Sequence, residues 1–278
     1  MRTPRQPADP RRRAAAFSHD VHHTVAHPWA AEPDTPGMKR ALLCELHTHT
    51  SWSDGELGLR ELVDLYGRNG FDVLCVTDHI IRSDDPWRVP QSCVHEGGFA
   101  SYLAAIEAEA ERARALYDLL VLPGVELTHN HLDPDLAAHA VAVGLREFVS
   151  PDVGLVGSLL AAREAGAALV GAHPHGPDRD PVPARTTRRF RREWQSLSPL
   201  LHRAELFNGA DVYSWVAGCG VPAIASGDTH RREQVSSWKT LLPCAKDEEE
   251  IVAFLRSPRS AYLVPFRAET AVEPAAAA

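Results

Sequence analysis

The sequence predicts an α/β fold whose strands run mostly parallel and close into a barrel. Three observations predict it. Seven short apolar runs are spaced along the chain. Segments of helical periodicity alternate with most of them, which is the pattern of a sheet with crossover helices. Residues able to ligate a metal fall at or just beyond the ends of the apolar runs, and in a barrel those ends converge on one face.

Taken in order, residues 41–46 form the first apolar run. Leu59, Leu62, Val63 and Tyr66 follow at helical spacing. Residues 73–77 are the second strand, and Phe99, Leu103, Ile106, Ala110 and Tyr117 mark a longer helix. Residues 119–127 and 139–145 are strands joined by a turn through Asp133-Pro134. A helix over 153–165 ends before Gly166, as a C-cap does. Residues 168–172, 203–207 and 222–225 complete the seven strands. Asp247 and Glu248 to Glu250 open a last helix carrying Ile251, Val252 and Leu255. Residues 262–264 are one further short strand.

Residues 1–38 read as a disordered, Pro- and Arg-rich tail, residues 39–268 as the barrel and 269–278 as a frayed tail. Met38 lies directly before the first strand and is an alternative start of translation. The 278 residues carry 29 basic and 37 acidic side chains, a net charge of -8, which argues against a stable nucleic-acid partner. No apolar run is long enough to span a membrane, and we read no secretory signal. Five cysteines without a CxxC pair indicate a reducing, cytoplasmic setting rather than a disulfide framework. The oligomeric state is not legible.

The outlier in the composition is histidine, with 15 residues. His47 and His49, two apart in an extended segment, point to one face and can chelate one cation. Asp54-Gly55 adds a carboxylate on a tight turn. Later strand ends supply Asp78-His79, Glu126, His173-Pro174-His175 and Asp228-Thr229-His230, while His139 opens the fourth strand. Any one of these has a bland reading as a turn residue, a surface carboxylate or a core histidine. Their common position is what chance handles poorly. Imidazoles and carboxylates without thiolates suit zinc, manganese or iron at a catalytic centre, and nine candidate ligands imply two or three divalent ions.

His47-Thr48-His49 with Ser53-Asp54-Gly55, then Thr77-Asp78-His79, Gly124-Val125-Glu126, His173-Pro174 and Gly227-Asp228-Thr229-His230, resemble the successive motifs of the PHP (polymerase and histidinol phosphatase) family over roughly residues 41–265. The resemblance implies a distorted (β/α)7 barrel with a two- or three-metal site at the C-terminal ends of its strands. It implies His47, His49, Asp54, His79, Glu126, His139, His173, Asp228 and His230 as ligands. His47, His49, Glu126 and Asp228 would hold one ion, Glu126 with His139 and His173 a second, and Asp54, His79 and His230 a third. Asp78 would orient a neighbouring group. Glu205-Leu206-Phe207-Asn208-Gly209 and the stretch 238–264 resemble the stand-alone metallohydrolase branch that includes CehA/McbA-type carbamate-cleaving enzymes. Ser226-Gly227-Asp228 departs from the family's frequent Gly-Ser-Asp order.

The expected function is that of a metal-dependent phosphoesterase, using a metal-bridging hydroxide on a small phosphate ester or nucleotide. Asp228 would orient the water or accept its proton, and leaving-group protonation by His230 or His175 is left open. Arg185 heads an arginine-rich segment with Arg188, Arg189, Arg191 and Arg192. It reads either as a phosphate clamp or as a solvated helix anchored by Phe190 and Trp194. His129 and His131, a second HxH, join His175 and Asn208 as candidate substrate contacts. Two alternatives share the same centre: a carbamate or carboxylic ester hydrolase, and a non-catalytic metal-binding regulatory barrel.

Overall fold

The computed structural model describes residues 40–89, 92–175 and 187–268. The two tails and Arg185 lie outside the described residues. Eleven strands are found among those described: β1 Leu42–Glu45, β2 Val73–Val76, β3 His79–Ile81, β4 Leu120–His129, β5 Ala138–Val143, β6 Ala168–Ala172, β7 Arg203–Asn208, β8 Asp211–Val212, β9 Ala223–Ser226, β10 Trp238–Leu242 and β11 Tyr262–Pro265. The helices are α1 Leu59–Arg68, α2 Glu96–Tyr117, α3 Gly154–Glu164, the short α4 Arg189–Arg192 and α5 Trp194–Leu197, and α6 Glu248–Arg256.

The strands form one curled, mixed sheet in the order β11-β10-β1-β2-β4-β5-β6-β7-β8, with β3 also on β4 and β9 also on β7. The pairs β1–β2, β2–β4, β6–β7 and β7–β9 are parallel, as expected. The pairs β4–β5 and β5–β6 are antiparallel, which corrects the expected run of parallel crossovers. The reason is chain length. Residues 130–137 are too few for a parallel crossover, which needs a dozen or more, so β4 must turn back on itself as β5. Pro134–Leu136 makes that turn, with Asp133 accepting from the Asp135 amide.

The curl brings its first and last segments together. Thr48, beyond β1, bridges Thr229, beyond β9, in parallel. Lower down, Thr240 of β10 donates its hydroxyl to the Ala225 carbonyl at 2.7 Å and accepts from the Ala225 amide at 2.9 Å. One side chain thereby makes the contacts that a backbone ladder would make between β9 and β10.

The apolar core lies at one end of the curl and polar residues at the other. Leu120 and Leu122 share a face of β4 with Glu126, and Val141 and Val143 share a face of β5 with His139. Ile251, Phe254 and Leu255 of α6 close the apolar end against Leu42, Val73 and Val170. Asp247 caps α6 by accepting from the Glu249 and Glu250 amides, as the acidic run predicts. At the other end of α6, the fully buried Arg203 donates to the carbonyls of Phe254, Leu255, Ser257 and Arg259. These carbonyls belong to the helix terminus and the turn beyond it, where oxygens lack intrahelical partners and favour a cation. The helices α1 and α2 approach closely because Gly67 leaves room for the Tyr117 ring, which a Cβ there would meet at 2.3 Å.

His202 gives the fold a pH dependence remote from the polar end. Its Nδ1 accepts from the Leu169 amide at 2.9 Å, which the imidazolium cannot do. Burial, reinforced by Arg163, Arg256 and Arg203, lowers its pKa to about 4. Between the unfolded value of about 6.5 and that value the unfolded chain binds a proton that the native chain does not. Stability therefore falls as pH drops through this window. His202→Gln should flatten the slope of unfolding free energy against pH, read from urea titrations between pH 7 and 4.

Candidate metal centre

The polar end is built from segments that follow, open or lie within the strands. His47 and His49 lie beyond β1, Asp54 in the turn after it, and His79 begins β3. Glu126 is inside β4, His173 follows β6, and Asp228 and His230 follow β9. His139 is at the N-terminal end of β5. His139 opens its strand as the sequence indicates, and it reaches the same end as the others because β5 runs antiparallel, so its start lies where its neighbours end. All nine residues come together. Three overlapping groups offer ligand atoms within 4.8 Å of one another: His47, His49 and Asp228; His47, Glu126 and His173; and His49, Asp54, His79 and His230.

The distances sort the groups further. His47 Nε2 is 3.5 Å from both Glu126 Oε2 and Asp228 Oδ1. His49 Nε2 is 3.5 Å from Glu126 Oε2 and 3.3 Å from Asp228 Oδ1. A tetrahedron of ligands about 2.0–2.1 Å from a central zinc-sized ion has edges of about 3.4 Å. These four atoms are all buried and none makes a hydrogen bond among the described residues. Four orphaned buried polar atoms at that spacing fit a divalent cation, because buried polar groups otherwise find partners. The other oxygen of Glu126, Oε1, lies 2.9 Å from His173 Nε2 and 3.2 Å from His139 Nδ1. Asp54 Oδ1 lies 3.4 Å from His79 Nε2 and 3.2 Å from His230 Nε2.

Five imidazoles are each oriented by a hydrogen bond at one nitrogen; that of His79, Nδ1, also lies 2.9 Å from Glu126 Oε2. His47 Nδ1 donates to Glu205 at 2.9 Å, and His230 Nδ1 to the Asp228 carbonyl at 3.0 Å. His139 Nε2 donates to Asn130 at 2.8 Å, His79 Nδ1 to Thr128 at 2.7 Å, and His173 Nδ1 to Thr187 at 3.3 Å. A nitrogen that donates carries the proton, which leaves the other as a lone pair suited to a cation.

The electrostatics demand positive charge. Burial would raise the Glu126 carboxyl, but His47, His79 and His139 hold it well below the usual carboxylate range. Asp228 is likewise held low against burial by His47, His49 and His230. Burial, with His79 and His230 nearby, lowers His49 to about 3, so this imidazole is neutral at pH 7. His79 is pushed up to about 10 because Glu126 and Asp54 outweigh its burial. The ionised carboxylates thus draw protons onto their imidazoles, and a cation competes for the same places.

Among the other predicted site residues, Asp78 is fully buried and points at the loop rather than the centre. It accepts from the Thr50 amide and hydroxyl and the Ser53 hydroxyl at 2.6–2.8 Å. Asn208 donates to Glu205 at 2.8 Å and so braces the carboxylate that orients His47. His129 lies on the face of β4 opposite Glu126, as alternation requires. His131 Nδ1 accepts from the Asp133 amide, closing the loop. His175 is buried, in a loop that Trp215 holds by donating to the Pro174 carbonyl. Phe190 is buried as the helical reading of the arginine segment expects. Arg189 and Arg192 pair with Glu193, and Arg191 lies over Trp215.

Sequence reasoning gave no role to Glu45 or Lys239, and none within the centre to Glu205, although all three are fully buried there. Glu45 and Glu205 carried a legible signal, a lone acid inside an apolar strand. His173 and Asp228 have φ of 27° and 47°, two of the three left-handed non-glycine residues among those described. Such backbone strain concentrates at functional sites.

No protein-family model and no curated protein matches the chain. Solved structures do. A two-domain protein from Bacteroides vulgatus containing a predicted PHP-like metal-dependent phosphoesterase superposes with a TM-score of 0.59 at 21% identity, over 83% of this chain and 66% of that one. PsfC from Pseudomonas syringae superposes with a TM-score of 0.55 at 17% identity, over 81% of this chain and 92% of that one. The chain therefore shares the fold of PHP-like proteins, and it spans about two thirds of the Bacteroides protein.

Glu205 gathers four donors at the edge of the centre. Besides His47 and Asn208 it accepts from the His173 amide at 2.6 Å and from the Ser226 hydroxyl. Glu205→Ala should strip several buried donors at once and destabilise the chelator-treated protein by about 3 kcal/mol. The urea midpoint measured with chelator present reads this directly.

Proposed function

We propose that the chain is a metal-dependent hydrolase, and specifically a phosphoesterase acting on a small phosphate ester or nucleotide. The observation that carries the reading is the set of four orphaned atoms, His47 Nε2, His49 Nε2, Glu126 Oε2 and Asp228 Oδ1. The ring of strands β1, β2, β4, β5, β6, β7 and β9 is read as the distorted barrel that carries them. The nine residues His47, His49, Asp54, His79, Glu126, His139, His173, Asp228 and His230 would hold two or three divalent ions, zinc, manganese or iron. When bound, such ions lower the pKa of water toward 7 and stabilise charge on phosphoryl oxygens.

The chain's own groups set the rest. The side chain of Asp54 is 50% exposed and that of His230 27%, whereas His47 and His49 are fully buried. Substrate approaches from the Asp54–His230 side. Asp228 spans from the buried pair His47 and His49 to the exposed His230, whose Nδ1 is 3.4 Å from Asp228 Oδ1. Its ionised carboxylate is placed to orient a water and take its proton.

A carbamate or carboxylic ester hydrolase is the second reading, favoured by Glu205, which accepts from both His47 and Asn208. The test is metal analysis followed by a panel of phosphate, carbamate and carboxylic esters with zinc or manganese added. We expect at least two ions per chain and metal-dependent turnover of phosphate esters. Asp228→Asn should lower kcat on the order of 100-fold or more. Fewer than two ions at saturation would break the multinuclear reading, and turnover of carbamates alone would select the second reading.

A further inference from the structure

Three buried carboxylates surround the centre without facing it, and only one of them is paired with a cation. Glu45 and Lys239 are both fully buried and form an ion pair. Lys239 comes from β10, which runs antiparallel to β1. Its Nζ also donates to the Ser237 hydroxyl at 2.8 Å. Glu45 accepts from the Leu46 amide at 3.0 Å and the His47 amide at 3.2 Å. Across the closure of the curl it accepts from the Gly227 amide with both oxygens, at 2.9 and 3.0 Å. The Tyr66 hydroxyl reaches Glu45 at 3.2 Å and the Thr229 hydroxyl at 2.7 Å.

These contacts join two segments that are remote in sequence. Residues 47–49 carry two ligand candidates, and residues 228–230 carry two more. The His49 amide donates to the Thr229 carbonyl at 2.9 Å, and the Thr229 amide to the His47 carbonyl at 3.2 Å. Glu45 holds the near end of both segments, through the Gly227 amide one residue before Asp228 and through the amides of Leu46 and of His47 itself. The fit is tight. A Cβ on Gly227 would come within 2.5 Å of Lys239 Nζ and 2.6 Å of Glu45 Oε2. Glycine is required there by the ion pair, although Gly227 itself has no left-handed φ.

We propose that Lys239 is a positioning residue of the metal centre: by neutralising Glu45 it fixes the amides of His47 and Gly227, and through them the spacing of Asp228 from His47 and His49. A neutral residue at 239 would leave Glu45 an uncompensated buried charge beside the cation site. Glu45 would then move from its buried place, which releases the two amides. This inference rests on the reading of the site as a metal centre.

The test compares the full-length wild type with Lys239→Gln and Gly227→Ala. Zinc affinity is measured by chelator competition, the cobalt-loaded visible spectrum is recorded, and urea midpoints report stability. Lys239→Gln is expected to weaken zinc binding roughly 10–100-fold and to alter the cobalt spectrum, as loss of outer partners does. Gly227→Ala should shift both in the same direction. Phe254→Leu, in the apolar end of the curl, is the control: it should lower the urea midpoint and leave zinc affinity and spectrum unchanged. Should Lys239→Gln fail to fold, the double variant Glu45→Gln/Lys239→Gln leaves no lone buried charge but removes the carboxylate whose two oxygens hold the His47 and Gly227 amides, and is expected to weaken zinc binding in the same direction. Wild-type zinc affinity and an unchanged cobalt spectrum in a folded Lys239 variant would overturn the inference while leaving the metal centre standing. A wild-type chain that takes up no zinc or cobalt would overturn both.

Discussion

The burial of one carboxylate, Glu126, governs the architecture of the polar end. It is 1% exposed and sits in the middle of β4, with the apolar residues Leu120 and Leu122 on the same face. A carboxylate in such a place is costly unless opposite charge and hydrogen-bond donors meet it. Its two oxygens face different histidines, Oε2 toward His79, His47 and His49, Oε1 toward His139 and His173. The side chain therefore divides the centre into two halves and belongs to both. Removing any one imidazole changes the surroundings of the same charge, so the ligand candidates form a coupled set.

Coupling of this kind works only if the surrounding backbone does not yield. Three further carboxylates supply the stiffness, each accepting from the segment after β1 and two of them from other segments as well. Asp78 holds the turn that carries Asp54, through Thr50 and Ser53. Glu205 joins His47 to the residue after β6 and to Ser226. Glu45 joins the loops after β1 and β9. Each is satisfied by several donors, and only Glu45 also has a lysine. The left-handed backbone at His173 and Asp228 is held in place by these clamps: the His173 amide donates to Glu205, and the amide before Asp228 donates to Glu45. The strain is thus located where over-determination is greatest.

The part of this arrangement legible in the sequence follows from local rules. Strand ends carrying His, Asp and Glu are visible because a ligand and its strand are neighbours in the chain. His47 and His49 share a face because their spacing is two. The antiparallel course of β5 was missed although the short link after β4 contained the information. Lys239 was not legible, because β10 is an added antiparallel strand whose pairing with β1 spans most of the chain. Nothing in Trp238-Lys239-Thr240 marks its cation as buried rather than solvated. The partners of Glu205 were equally remote: the acid and its Asn208 stood out, but His47 lies 158 residues away. Tertiary hydrogen bonds of this separation leave no periodic trace.

The exposure gradient across the centre bears on what a substrate can meet. His47, His49 and Glu126 lie at its floor, and Asp54, His230 and the edge of Asp228 at its mouth. The Asp54 side chain is the most exposed of the ligand candidates and is what a ligand entering from solvent meets first. Asp228 touches both regions, with Oδ1 3.3 Å from His49 and 3.4 Å from His230, and Glu126 reaches the mouth group too, with Oε2 2.9 Å from His79 Nδ1. Charge brought in by a phosphate ester would be met by cations at the mouth before any contact with the buried carboxylates. The formal charge of -8 counts the carboxylates of this cation-seeking centre, so it does not describe the surface that such an anion would encounter. The physical requirement for an anionic substrate is cation occupancy at the mouth, and that depends on Asp54, His79 and His230 remaining within reach of one another.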